Sequence, residues 1–493
     1  MKNDVKSKNS DSINKNIKKS LIWNSGTKFF IQFQSVFFSI VLARLLDPKD
    51  FGIFAIGLII INYTNIATNF GFKSALVQKE NVNAKLINSV FFVDFSVSVV
   101  FTIGILLLSN PIADLFNSPE SAGVLKLLSV FFIITSFSGI MEVLLKREMA
   151  FKKLSGIHFI ENLVGYSVAI LLAIFGYGYW ALVFSRLASK GLSLILLSFK
   201  TNWFPLIEYS HKEMKQIYGF GFWSFLRAQL VYINQYYLHF LTGLYMNQTV
   251  LGSFDKAFEL SKKPMESFGK PINSVMFSTF SNLQKKQKQL NNWFINMVTI
   301  QTVFIVPFYI GLICTAPIFI PVLFGTNWNL AIVPLQLLCI GRILGVYNGG
   351  FASFNIGVGD YKNHTLSLFF VSFLFVITGT ISVKMFGMVG LCLSFVFIAF
   401  IRTLLVFRLA LQSITLKFHH ILIRIFPYLL ANSILFICVE IYLQSNSKID
   451  LYTLINSILI GIFCYVIPVI ISNFFLKKHW LFPLNQVLNK KNI

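Results

Sequence analysis

The chain has 493 residues, 55% of them hydrophobic and only 12% charged, where a soluble protein carries roughly a quarter. Its apolar residues come in blocks near ~20 residues, the length that spans a ~30 Å hydrocarbon core, so water is excluded as the main solvent of the fold. The formal net charge of +23 does not mark a nucleic-acid binder, because the basic residues fall in short clusters between apolar runs and not on one basic domain with interleaved aromatics.

Residues 1–18 form a polar, Lys-rich tail, and the first apolar run, from Leu21, is already long enough to span, so no cleavable signal is expected. The periodicity predicts an all-α, polytopic membrane protein of about fourteen helices. They lie near 19–45, 51–79, 84–109, 122–146, 153–176, 178–199, 213–245, 249–282, 290–319, 329–356, 362–385, 387–412, 418–443 and 452–476. The breaks between them carry turn residues: Asp47-Pro48, Asn110-Pro111, Gly176-Tyr177-Gly178, Gly325-Thr326-Asn327 and Gly387. Helices 1–6 make an N-lobe over 19–210 and helices 7–12 a C-lobe over 211–414. Helices 13–14 follow over 415–476, and 477–493 is a basic tail.

Lys and Arg orient the spans. With the N-terminus cytoplasmic, the inside segments hold 26 Lys and Arg, against Lys49, Lys384 and Lys448 in the outside loops. Both ends are then cytoplasmic. The least apolar candidate, 249–282, must cross, or Lys285-Lys286-Gln287-Lys288 would face outside. The cysteines Cys314, Cys339, Cys392, Cys438 and Cys464 sit inside apolar runs and read as small fillers, so neither disulfide, metal site nor cofactor is expected.

Two stretches match at an offset of 200: residues 47–54 and 247–254 share Gly52/Gly252 and Phe54/Phe254, and Ser74 matches Ser274. Six spans per copy make the repeat parallel, with an axis along the membrane normal and a central site expected between the lobes.

Polar residues inside spans are costly, about 2.5–3.5 kcal/mol for a charge at mid-bilayer, and mark cavities or partners. Helix 1 carries Asn24, Lys28, Gln32, Ser35 and Ser39 on one face, and helix 7 carries Ser224, Arg227, Asn234 and His239. Arg227 is within one residue of the repeat-equivalent of Lys28. Helix 2 presents Asn62, Asn65, Asn69 and Lys73, and helix 8 presents Asp255, Glu259, Lys262, Glu266 and Lys270. These faces carry several cations suited to an anionic headgroup: Lys28, Arg227, Lys73 and Lys262, with Asn65 and Asn69 as donors. The acids and lysines of helix 8 lie at i,i+4 spacing and can also neutralise one another. Asp255 and Glu259 are the ion-coupling candidates. Asp94, Glu142, Glu161, Arg186, Arg342, Arg402 and Glu440 also lie within spans, with pairing between helices the simpler expectation and proton or sodium coupling the sharper one. His158 lies near a cytoplasmic end, where a solvated or headgroup role is expected.

The stretches 43–52, 71–78, 145–152, 178–182 and 323–328 (from Ala43-Arg44-Leu45 to Phe324-Gly325-Thr326-Asn327-Trp328) resemble the Wzx-type polysaccharide-repeat flippases of the multidrug/oligosaccharidyl-lipid/polysaccharide exporter superfamily. Phe277-Ser278 departs from the pattern, which has a Pro after the Phe. The resemblance implies two lobes that alternate access and move an undecaprenyl-pyrophosphate-linked oligosaccharide to the outer leaflet of a bacterial inner membrane. It also implies cationic cavity residues, for which Lys28, Arg227 and Lys73 qualify, and partners among membrane lipids and other polysaccharide-assembly membrane proteins. Two rivals stand against it. A multidrug exporter would want an acidic cavity. A membrane polymerase or ligase would want acids or Arg/His clusters on a large outside loop, and the longest such loops, near 109–121 and 319–329, are short.

Overall fold

The computed structural model describes residues 30–69, 71–415, 418–446 and 448–475, and all regular structure among them is helical. The first compact unit is Met1–Gly252. Its helices are α1 (Phe30–Leu45), α2 (Pro48–Asn69), α3 (Phe72–Gln78), α4 (Ala84–Leu115), α5 (Glu120–Arg147), α6 (Phe151–Ile174), α7 (Tyr179–Ser198), α8 (His211–Lys215), α9 (Tyr218–Tyr245) and the start of α10 (Gln248–Pro264). The second unit, Ser253–Ile493, holds the rest of α10, then α11 (Lys270–Leu283), α12 (Gln287–Phe304), α13 (Val306–Leu323), α14 (Ile332–Gly357), α15 (Tyr361–Ser413), α16 (Phe418–Ser445) and α17 (Leu451–Phe475). Among the described residues, nine helices are long and apolar enough to cross a membrane by length and composition. One of them, α15, holds two expected spans, which part at Gly387 (φ 58°) as the turn chemistry predicts.

Three expected spans are not single rods. The span over 51–79 is α2 and α3, separated at Gly71, whose φ of 71° suits glycine's freedom in the left-handed region. The span over 249–282 is α10 and α11 joined by a π-helical turn, Met265–Gly269. Pro264 ends α10 there, lacking the N–H that would continue its ladder. The span over 290–319 divides into α12 and α13 at Ile305, just before Pro307. Where the flippase pattern has Pro after Phe277, α11 runs on unbroken. Ser278 and Thr279 instead donate their hydroxyls to the carbonyls of Ser274 and Val275, at 3.3 and 3.0 Å.

Each unit has its own core. In the first, Ile53, Val124, Leu128 and Phe132 pack α2 against α5, with Val183 of α7. In the second, Phe280, Phe294 and Phe354 meet edge to face, two of the ring pairs with centroids 4.9 Å apart, a geometry aromatic quadrupoles favour. On α1 the polar Gln34 and Ser39 are buried while Phe30, Phe33 and Phe37 are more than half exposed, as an amphipathic helix with one lipid-facing stripe requires.

The repeat glycines have a defined task. A Cβ on Gly52 would lie 1.8 Å from the Gln248 carbonyl oxygen, and one on Gly252 would lie 1.9 Å from that of Pro48. The two contacts are reciprocal at an offset of 200: the starts of α2 and α10 cross backbone to backbone, and only glycine leaves room.

The family-like motifs also meet in pairs. Near the starts of α2 and α7, Asp50 Oδ1 accepts the Tyr179 N–H at 2.9 Å and Oδ2 accepts that of Asp47 at 3.2 Å. Near the end of α5, the Arg147 guanidinium donates to the carbonyls of Leu76, Lys79 and Glu80. That closes the C-terminal end of α3, where orphan carbonyls favour a cation. These motif residues build helix ends.

Candidate functional site

In the first unit, two buried carboxylates are held by lysines from other helices. Lys73, in the first turn of α3, puts Nζ 2.9 Å from Asp94 Oδ2 of α4, with the side chains 17% and 5% exposed. Gly139 of α5 makes the space: a Cβ there would lie 2.5 Å from the Lys73 Nζ. The second carboxylate, Glu161 of α6, pairs with Lys190 of α7 through Oε1 and with His158 Nδ1 at 3.2 Å through Oε2. His158 is thus engaged by a carboxylate within the bundle and not simply solvated. Glu142 pairs within its own helix, with Lys146 at 3.1 Å. Removing one member of such a buried pair leaves an uncompensated charge, at a cost of about 3–5 kcal/mol.

The second unit arranges its charges differently. Phe258 of α10 carries two cations on its ring, Lys262 Nζ at 4.3 Å and Arg342 Cζ at 4.8 Å from the centroid. Arg342, from α14, also lies 5.1 Å from the Phe395 ring of α15. Its Nε reaches Ser261 Oγ only at 3.5 Å, and its buried Nη2 has no hydrogen-bond acceptor. Of the nearby acids, Glu259 pairs with Lys263 at 3.1 Å and Lys256 at 3.6 Å, and Glu266 with Lys270 at 3.3 Å. Each aromatic face supplies about 0.5–2 kcal/mol of attraction per cation.

Of the residues singled out from sequence, Lys28 lies outside the described residues. Arg227, Asn65 and Asn69 are placed on α9 and α2, with their side chains outside the described part. Lys73 is brought to Asp94, and Lys262 to Phe258 beside Arg342. Glu259 sits between two lysines of its own helix, and Asp255 lies half-buried one turn before it. The α9 helix, read as the first of the C-lobe, packs on α2 within the first unit, where the Tyr232 hydroxyl donates to the Ile59 carbonyl at 2.5 Å.

Sequence reasoning missed Lys190 and Lys256. Lys256 is 3% exposed, with Nζ 5.9 and 5.7 Å from the Phe324 and Trp328 rings. Its spacing of three before Glu259 was the available signal. For Lys190 the signal was a second cation, one turn after Arg186, within an apolar span next to a helix that carries Glu161.

Comparison with known proteins agrees with this fold. The chain is 22% identical to the lipopolysaccharide biosynthesis protein WzxC of Escherichia coli K12 over 376 residues, 76% of each chain. It is 24% identical to the succinoglycan biosynthesis transport protein ExoT of Rhizobium meliloti over 352 residues, 71% of this chain and 70% of that one. Among solved structures it resembles the lipid II flippase MurJ in an inward closed conformation, with a TM-score of 0.76 at 16% identity, covering 93% of this chain and all of that one. An inward-facing multidrug transporter of the MATE family superposes with a TM-score of 0.60 at 14% identity, over 80% of this chain and all of the other. At such identities the structural likenesses establish the fold alone: a multi-pass helical membrane protein of the MurJ and MATE type. A family match over residues 41–333, more than half of the chain, settles the kinship: the protein belongs to the polysaccharide biosynthesis protein family.

Proposed function

We propose that the protein flips an undecaprenyl-pyrophosphate-linked oligosaccharide from the cytoplasmic to the outer leaflet of a bacterial inner membrane by alternating access, with both termini cytoplasmic and no chemical change to the glycan. The observation that carries the reading is the Arg342–Lys262 pair on Phe258, with Arg342 Nη2 buried and lacking an acceptor. A pyrophosphate leaving water loses hydration that only fixed donors can replace, and a guanidinium offers planar, bidentate recognition of phosphate oxygens. Lys28 and Arg227 are proposed as further cations for the same headgroup, Asn65 and Asn69 as donors, and Lys73 as a cation available once Asp94 gives it up. Asp255 and Glu259 are proposed as ion-coupling groups, and Glu259 must first leave two lysines. The names of WzxC, ExoT and MurJ support a polysaccharide-linked lipid as cargo. The reciprocal glycine crossing supports two parallel six-helix copies followed by a helix pair.

A multidrug exporter of cationic compounds is the second reading, and the Arg342 cluster opposes it, since a cationic drug would be repelled there. Purified protein in liposomes should move a fluorescent lipid-linked oligosaccharide between leaflets and return it unaltered. A lengthened or cleaved glycan places the protein among polymerases or transferases, and transport of organic cations with no lipid movement favours the exporter.

A further inference from the structure

We propose that Asp94 is a proton-binding site whose occupancy decides whether Lys73 is available to a phosphate-type anion. The pair joins two separate pieces of structure. Lys73 rides on α3, a seven-residue helix set apart by the left-handed turn at Gly71, and Asp94 lies about 15 Å into the long helix α4 at ~1.5 Å per residue. The Lys73 ammonium lies against Gly139, where an added Cβ would stand 2.5 Å from Nζ and force the lysine to shift.

Among the described residues, no other charged group is placed to take over. On α5, Glu142 is paired with Lys146 and Arg147 is bound to the carbonyls that end α3. Glu120 is paired with Lys49 at 3.0 Å, and Lys126 lies about 20 Å along the helix from Gly139. On α4 itself, Lys85 and Asp114 are about 13 and 30 Å away along the axis. The α2 helix carries no charged residue after Asp50. Before and within α8, Glu208 accepts from Asn88 at 3.4 Å, His211 meets the Tyr209 hydroxyl and Glu213 accepts from Gln216, while Lys212 and Lys215 are exposed. From α9 come Arg227, whose side chain lies outside the described part, and His239, about 18 Å farther along that helix.

Glu161 is the internal contrast. It has both Lys190 and His158, so the loss of one partner leaves another. Asp94 pairs with Lys73 alone among the charged groups described. When an anion draws Lys73 away, a buried carboxylate without its partner favours the neutral form. A proton from solution then adds to the Asp94 carboxylate, while Lys73 stays an ammonium and turns its hydrogen bond to a phosphate oxygen. Linkage makes the effect reciprocal: acid strengthens anion binding, and the anion raises the proton affinity of Asp94. The inference rests on the flippase reading only for which anion is the natural one.

The test uses the full chain in nanodiscs with inorganic pyrophosphate as the probe. Adding pyrophosphate to the wild type should produce, in an infrared difference spectrum, the C=O stretch of a newly protonated carboxyl. The band should persist in Glu161→Gln and vanish in Asp94→Asn. Acidification should tighten wild-type binding by up to about tenfold per pH unit more than it tightens binding to Asp94→Asn, the limit set by one proton taken up per anion. The ligand's own titration is common to both proteins and cancels. If Asp94→Asn fails to fold, the double variant Lys73→Met/Asp94→Asn, which leaves no unpaired charge, must also lack the band. Comparing nanodiscs with and without phosphatidylglycerol, before pyrophosphate is added, tells a bilayer headgroup from a substrate phosphate as the anion, since only the former gives the band by itself. A band that survives in Asp94→Asn, or wild-type binding with no band, or no binding at all overturns the proposal. A protein that shows the band but leaves lipid-linked oligosaccharide unmoved keeps this inference and loses the flippase reading, and one that flips it without the band does the reverse.

Discussion

The two units hold their buried charges in opposite ways. In the first, acid and base close on each other across helices, Lys73 with Asp94 and Lys190 with Glu161 and His158. In the second, Arg342 and Lys262 lie on the Phe258 ring while Glu259 and Glu266 pair with other lysines. Composition hides the contrast, since a net charge of +23 says nothing about where a cation lacks its counterion. A closed pair is an element that a proton or a competing ion can open.

Breaking the closed pairs should hurt stability most. Lys73→Ala leaves Asp94 buried without a partner and should cost about 3–5 kcal/mol, visible as poor insertion and a lowered melting temperature in detergent. The double variant Lys73→Met/Asp94→Asn should recover most of that loss, because neither charge remains. Next in size is Lys190→Met, with a smaller loss because His158 still faces Glu161. A loss as large as that of Lys73→Ala would count against the pairing.

Arg342 should behave in reverse. Arg342→Met orphans no carboxylate, so melting should move little, by no more than the ~0.5–2 kcal/mol of its cation–π contacts, while lipid transport falls strongly. Severe unfolding of Arg342→Met with retained specific activity would reverse the contrast between the units. Lys49→Ala, which breaks the exposed pair with Glu120, should leave both melting and transport unchanged within error, since solvent screens such pairs.

Much of the fold was legible because membrane spans announce themselves by length and by the position of Lys and Arg. The turn at Gly387 and the break before Pro48 were readable for the same reason: glycine and proline punctuate apolar runs. The interruptions inside spans were not, because Gly71 and Pro264 lie within continuous hydrophobic or amphipathic pattern, and periodicity carries no record of a change in helix type. Gly52 and Gly252 stood out as a repeat, but their reciprocal backbone contact is a tertiary fact. The site was half legible. Lys73 and Lys262 were marked by being charged at depth, whereas their partners depend on which helices adjoin. Asp94 and Arg342 were noticed only as isolated charges. Nothing in the sequence tells that one is paired and the other rests on two rings.

The most direct test of the central claim is leaflet exchange in liposomes containing a fluorescent undecaprenyl-pyrophosphate-linked oligosaccharide and wild-type or Arg342→Met protein at equal density. The account predicts rapid exchange of intact lipid with the wild type and near-background exchange with Arg342→Met, although the variant inserts and melts as the wild type does. Equal exchange by the two proteins, or none by the wild type under an imposed pH gradient and membrane potential, would contradict it.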